Sequence, residues 1–255
     1  MPALAAMQLT RLRDVHVQHL GPLDGRAVLV VVGRQNQLRR SEPIDLIAAR
    51  LHGPDLTVCW YERPGILHAR LRDQALTVAE RAWLDDLTAR QPLAGWVARK
   101  ALRLALKLRY PKRHGWVFRR HALDTLPTPA ELANFVRHLP ARRVFLLGHS
   151  AGGRVATLAQ AGPAVQGLVC LGYPFKHPEM PEEPHRTAHL ASLTKPCLIL
   201  QGERDDYGNA TDATRYPLSP AIVIESVDTD HEWAPMTAEQ ISLMAQRVQR
   251  FLGLD

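Results

Sequence analysis

Four short runs, Ala27–Val32, Val144–Leu147, Val165–Leu171 and Cys197–Leu200, are apolar at nearly every position instead of alternating. A strand can be apolar on both faces only where both faces are covered, as in a parallel sheet between two layers of helices. Two further runs, Leu56–Tyr61 and Ala221–Val227, fit the same sheet. Helical patterns lie between them. Ser41-Glu42-Pro43 places a capping residue and a proline ahead of IDLIAARL, and Thr128-Pro129 does the same for AELANFVRHL. Thr237 stands before an amphipathic stretch, AEQISLMAQRVQRFL. Strands alternating with helices predict an α/β fold, a mostly parallel sheet covered by helices on both faces. Residues 11–19, RLRDVHVQH, add an edge strand, and the chain carries no internal repeat or low-complexity tract.

With 255 residues, 46% apolar and 22% charged, the composition excludes disorder, collagen and coiled coil, and the sequence predicts one domain over residues 1–255. No apolar run reaches the roughly 18 residues of a membrane span. The start, MPALAAMQLTRLRD, has no cationic head before an apolar stretch, so no secretory signal is expected. Cys59, Cys170 and Cys197 all fall in apolar stretches. That odd count, without short spacing, excludes a disulfide scaffold and a cysteine zinc site, and points to a soluble protein of a reducing, cytoplasmic compartment.

One connection is too long for a simple crossover. Between Glu62 and Thr128 the sequence predicts helices near 74–89 and 94–109, and residues 65–127 read as an insertion over the sheet edge. This segment holds 13 basic and 5 acidic side chains, a net +8, while the whole chain carries +7. On a helical wheel, Arg99, Lys100, Arg103 and Lys107 gather on one face with Trp96. Val97, Ala101, Leu102, Leu104, Ala105 and Leu108 fall opposite. One expectation is a cap helix packed by its apolar face with its cations in solvent. The other is an interfacial helix that meets anionic lipid, or a clamp for an acidic partner or substrate. Stacking aromatics are sparse and no recognition motif accompanies the charge, so no specific nucleic acid is expected.

The sharpest motif is Gly148-His149-Ser150-Ala151-Gly152-Gly153, entered from the strand RRVFLL and followed by the helical pattern RVATLAQAG. A G-x-S-x-G turn between strand and helix exposes its serine at a strained corner, and the glycines on either side let the two backbones approach closely. A serine hydroxyl is a poor nucleophile without a base, and that base needs an orienting acid. In this architecture the partners follow as an acid and then a histidine at the ends of later strands. CLIL runs into Gln201-Gly202-Glu203-Arg204-Asp205-Asp206, and AIVIESV runs into Asp228-Thr229-Asp230-His231. His231 is the candidate base, since no other histidine follows Asp205. Between Asp205 and Asp206 the physics leaves the choice open. His149, fixed beside its own serine, is expected to line the substrate pocket. His185 and His189 share a helical face at i, i+4, which reads as a solvated face in the absence of a third metal ligand.

The chain resembles the α/β-hydrolase superfamily over nearly all its length. The stretch from Gly148 through Gly172-Tyr173-Pro174 and HPEMPEEPHRTAHL to QGERDDYG is similar to the dienelactone-hydrolase-like branch, and more narrowly to its testis-expressed and histone-acetyltransferase-complex-subunit homologues. The resemblance implies that the acid is Asp205, in the family's QGxRDxxG stretch, and that Asp230-His231 is the family's D-H pair. It also implies an oxyanion hole formed by the backbone N–H of Ala151 and a second donor in the loop after Ala27–Val32. That loop reads Val32-Gly33-Arg34-Gln35-Asn36, with Val32 where the family usually has histidine, so the matching donor is the backbone of Arg34. The implied activity is a cofactor-free, metal-free serine hydrolase acting on a small-molecule ester or thioester. Because some homologues are complex subunits, the alternative is a hydrolase-like scaffold that docks a protein partner or an anionic membrane through the basic insertion. The roughly 20 residues after Tyr173 leave little room for a lid, so any cover over Ser150 is expected from residues 65–127, with Trp83 and Trp96 against an apolar acyl group.

Overall fold

A computed structural model of the chain describes residues 7–13, 15–34, 41–63, 65–67, 71, 74–111 and 126–254. These fall into two compact units, residues 1–62 with 125–255, and residues 63–124.

The first unit is built on an eight-stranded sheet, in the order β1-β2-β4-β3-β5-β6-β7-β8. Its strands are β1 (Gln8–Leu12), β2 (Val15–Leu20), β3 (Ala27–Val32), β4 (Leu56–Trp60), β5 (Arg143–His149), β6 (Val165–Leu171), β7 (Cys197–Gly202) and β8 (Ile222–Val227). From β4 to β8 every pairing is parallel. The six strands expected for the parallel sheet are all present. The expected single edge strand over 11–19 is instead an antiparallel hairpin, β1 with β2, turning at Arg13 in the left-handed region (φ 52°). Only β2 of that pair reaches the sheet proper, antiparallel to β4.

The helices of this unit are α1 (Glu42–Arg50), α4 (Pro129–Arg137), α5 (Ala151–Leu158), the short α6 (Ala210–Ala213) and α7 (Ala238–Leu252). Thr128 and Thr237 each cap their helix through a reciprocal pair with Glu131 and Gln240, satisfying first-turn donors that the helix itself leaves unpaired. Two apolar clusters form, one on each face of the sheet. In one, alternate residues Val28, Val30 and Val32 pack with Leu132 and Phe135 of α4 and Val155 of α5. In the other, Leu29 and Val31 pack with Ile47 of α1 and with Met244 and Val248 of α7. This two-sided burial is the reason the strands read as unbroken apolar runs. Cys59, Cys170 and Cys197 are free and buried.

The second unit carries α2 (Val78–Arg90) and α3 (Pro92–Arg109), joined by Gln91 alone and packed against one another. Residues 112–125 of the expected insertion lie outside the described residues. The expected packing of α3 is corrected. Its seam runs along Gly95, Leu102 and Leu106, while Val97, Ala101, Leu104 and Leu108 face solvent. The cause lies in α2. A Cβ on Gly95 would stand 2.5 Å from Cα of Thr88, so the helices meet there at a distance that leaves no room for a side chain. Arg99, expected in solvent, turns to α2, donating to Asp85 at 2.7 Å and to Thr88 Oγ1 at 3.1 Å. Among the described residues no helix is long and apolar enough to cross a membrane.

Candidate active site

Parallel strands bring their carboxyl ends to one edge of a sheet, and residues just past those ends share a crevice. The register pairs His149 with Leu171, Leu171 with Leu200, and Gly202 with Val227. Ser150 follows β5 directly, Asp205 lies three residues beyond β7, and His231 lies four beyond β8. Three side chains far apart in sequence are thus delivered to one place.

At the end of β5 the chain turns so abruptly that Ser150 adopts φ 54°, ψ −125°, a conformation that costs a non-glycine residue on the order of 1–3 kcal/mol. The corner is tied down on both sides. Ser150 N–H donates to the carbonyl of Leu171 at 3.1 Å, and its own carbonyl accepts from Gly153 N–H at 2.8 Å. The motif glycines are required sterically. A Cβ on Gly148 would lie 2.4 Å from the backbone of Gly153, and one on Gly152 would lie 2.3 Å from the carbonyl oxygen of Gly33. The second contact shows that the loop after β3 runs directly against the first turn of α5.

Ser150 occupies the N-cap position of α5, where a serine oxygen ordinarily accepts from the helix backbone, yet it makes no such bond. Its Oγ is instead 2.9 Å from Nε2 of His231. Nδ1 of His231 lies 2.9 Å from both oxygens of Asp205. All three residues are buried, with Asp206 beside them exposed. Of the two adjacent aspartates, it is Asp205 that the fold brings to His231. Its remaining acceptor capacity is also filled, because Tyr207 N–H donates to Oδ1 at 2.9 Å and Gln201 Nε2 to Oδ2 at 2.9 Å. Burial raises the Asp205 carboxyl above the ordinary aspartate range, opposed by the hydrogen bond from His231.

Three neighbours, Gln201, Tyr207 and Glu232, have no role assigned from sequence, and Asp230 has one only as half of the D-H pair. Gln201, wholly buried at the end of β7, accepts from Tyr173 N–H at 2.8 Å and donates to the carbonyls of Tyr173 and Gly208 as well as to Asp205. It links the loops after β6 and β7. A glutamine closing an otherwise apolar strand was the available signal. The Tyr207 ring stacks on the His231 imidazole, centroids 4.2 Å apart. Asp230 Oδ1 accepts from the N–H groups of Glu232 and Trp233, both at 3.0 Å, which shapes the turn presenting His231. Glu232 in turn receives both terminal nitrogens of Arg34, at 2.5 and 2.6 Å, so the loop after β3 is tied to the histidine loop through a side chain. Gln35 and Asn36 of that loop lie outside the described residues.

His149 is buried beside this arrangement, with Nε2 3.5 Å from the carbonyl oxygen of His231. Burial above all, with His231 and Arg34 nearby, pushes its pKa down to about 3, so it is neutral at ordinary pH. Ala151 is the first residue of α5. Ser150, Ala151, His149, Arg34, Asp205 and His231 all belong to the first unit, and Trp96 to the second, where it stands half-exposed under Lys100 Nζ. The helical face expected for His185 and His189 is corrected: two separate 3-10 turns, Pro184–Arg186 and Ala188–Ser192, replace a helix. His189 Nε2 bonds Thr157 Oγ1 at 2.9 Å, and no group of metal-ligating side chains occurs among the described residues. A hollow lined by Arg26, Leu56 and Arg143 sits at the amino ends of β3–β5, the opposite end of the sheet from Ser150.

Comparison with known proteins agrees with this architecture. The fold is shared with the esterase domain of a Rhodothermus marinus protein (TM-score 0.52, 12% identity, 96% of each chain covered). It is shared with an esterase of Pyrococcus furiosus (TM-score 0.51, 14% identity, 97% of this chain and 89% of that one). XC6422 of Xanthomonas campestris, described as an a/b serine hydrolase without lid, is a third (TM-score 0.50, 13% identity, 97% of this chain and 93% of that one). Comparison of the sequence with curated proteins returns no match. A family model described as alpha/beta hydrolase domain matches residues 119–252, just over half of the chain and the whole stretch from Ser150 to His231. The chain belongs to the alpha/beta hydrolase domain family.

Proposed function

We propose that the chain is a serine hydrolase of carboxylic esters or thioesters, working through Ser150, His231 and Asp205. The observation that carries this reading is the unbroken hydrogen-bonded sequence from Ser150 Oγ through His231 to Asp205, mounted on a strained corner whose serine forgoes its capping bond. His231 Nε2 takes the Ser150 proton as Oγ attacks the substrate carbonyl. Asp205 holds Nδ1–H and stabilises the imidazolium that forms. The acyl–Oγ bond forms, the alcohol or thiol leaves with that proton, and water then repeats the attack to release the acid and regenerate the serine. The oxyanion is held by the N–H of Ala151, at the positive end of α5, and by the backbone N–H of Arg34. Packing of Gly33 against Gly152 supports the second donor, since it keeps that loop beside the nucleophile.

His149 forms a neutral wall beside His231. The substrate is a small-molecule ester or acyl compound, the ester class being that for which two of the structural neighbours are named. Buried free thiols support a reducing, cytoplasmic setting. The test is hydrolysis of p-nitrophenyl esters from acetate to octanoate, beside an acyl thioester, by wild type and Ser150→Ala. Turnover by wild type alone is expected. A wild type no faster than Ser150→Ala on every substrate would overturn the proposal.

A further inference from the structure

Eight of the twelve large hydrophobic side chains exposed among the described residues fall between Val78 and Tyr110. On α3 they are ordered. Leu93, Val97, Ala101, Leu104 and Leu108 recur at spacings of four, four, three and four, one continuous stripe along the helix. Leu93 is 82% exposed, Val97 57%, Leu104 59% and Leu108 76%. The stripe lies opposite the seam of Gly95, Leu102 and Leu106, so α2 leaves it uncovered. Scattered surface leucines need no account, but an aligned row does.

The charge beside the row indicates its partner. α3 contains Arg99, Lys100, Arg103, Lys107 and Arg109 and no acidic residue, within a segment of net +8. On the wheel, Lys100 and Lys107 border the apolar stripe, with Trp96 and Arg103 just beyond. Lys100 Nζ lies 3.6 Å from the centre of the Trp96 ring. Apolar side chains facing outward, long cationic chains able to extend along them, and an indole at the boundary match the demands of an acyl–headgroup interface carrying negative charge. A protein partner would account for the apolar row without requiring charge of one sign along its whole length. From these residues we infer that the outer face of α3 docks on an anionic lipid membrane. Leu93, Val97, Leu104 and Leu108 enter the acyl boundary, and Lys100, Arg103 and Lys107 meet the headgroups.

The experiment is co-sedimentation of the full chain with vesicles of phosphatidylcholine alone or mixed with phosphatidylglycerol. Wild type should pellet with the mixed vesicles only, and raising the salt should release it. Reversing Lys100 and Arg103 to glutamate should lower the bound fraction on the order of tenfold or more. Leu104→Asp with Leu108→Asp should abolish binding; because both leucines are exposed, that variant should keep the wild-type circular dichroism and melting temperature. Failure to pellet with mixed vesicles, or equal pelleting with neutral ones, overturns the proposal. So does a wild-type dimer in light scattering that the Leu104→Asp, Leu108→Asp variant loses, which would assign the face to a second copy.

Discussion

The end of β5 and the outer face of α3 answer the same physical demand in opposite ways. Around Ser150 the side chains of Ser150, His231 and Asp205 are buried and hydrogen-bonded to one another. Asp205 receives donors from His231, Tyr207 and Gln201, and the strained serine is tied by backbone bonds on both sides. Along α3 the apolar groups are aligned and unmatched, with Leu93, Val97, Leu104 and Leu108 turned to solvent. The first region finds its partners within its own unit. The second buries its seam against α2 and leaves its apolar row in solvent. Buried polar networks are costly when incomplete, so a complete one is specific. An exposed apolar row carries its cost until something covers it.

The largest expected effect lies in the first region. Ser150→Ala or His231→Ala should each lower kcat on the order of a millionfold, and Asp205→Asn about ten-thousandfold, read by steady-state ester hydrolysis. Asp206→Asn, one residue away and exposed, should leave kcat within a factor of about three, since exposed substitutions rarely matter. Equal losses at the two aspartates would break the distinction that the geometry draws.

Stability gives the next contrast. Leu146→Ala, in the middle of β5, should cost about 3 kcal/mol in urea unfolding, whereas Leu108→Ala should stay within about 0.5 kcal/mol. A large loss at Leu108 would mean that the α3 stripe is packed and not exposed. Gly152→Ala should cost about 2 kcal/mol by driving the loop after β3 off α5, and should lower kcat as well if that loop supplies an oxyanion donor.

The same contrast extends to pH dependence. His149 is neutral in the folded chain down to about pH 3 but takes a proton near 6.5 when unfolded. Between those values the unfolded state binds more protons, so stability falls as pH drops, by up to about 1.4 kcal/mol per unit from this group. His189, also lowered by burial, to about 4, pulls in the same direction. Asp205, raised by burial, holds its proton more readily when folded and so opposes that trend in the acid range. His149→Gln should flatten the slope measured between pH 6.5 and 4; an unchanged slope would contradict the neutral, buried state of this histidine.

What could be read from residues alone follows the same division. β3, β5, β6 and β7 were legible because two-sided burial writes itself as unbroken apolar runs, and Ser150 because a close strand–helix approach requires Gly148 and Gly152. His231 followed from its place after the last strand. The Asp205 contact was not legible from the two adjacent carboxylates, since it depends on how the loop after β7 folds around Gln201. Nor was the Arg34–Glu232 pair, which joins loops 198 residues apart. The orientation of α3 was misread for a related reason. A helical wheel separates two faces but does not say which one a neighbour takes, and here Asp85 and Thr88 of α2 drew Arg99 inward while Gly95 let the backbones meet. The β1–β2 hairpin was missed because the turn at Arg13 carries no glycine or proline.

Activation of Ser150 through His231 is testable without knowledge of the substrate, by labelling with a fluorophosphonate probe. Wild type should be labelled on the peptide containing Ser150, Ser150→Ala and His231→Ala should not, and Asp206→Asn should label like wild type. A folded wild type that stays unlabelled, or a His231→Ala variant labelled as fast as wild type, would contradict it.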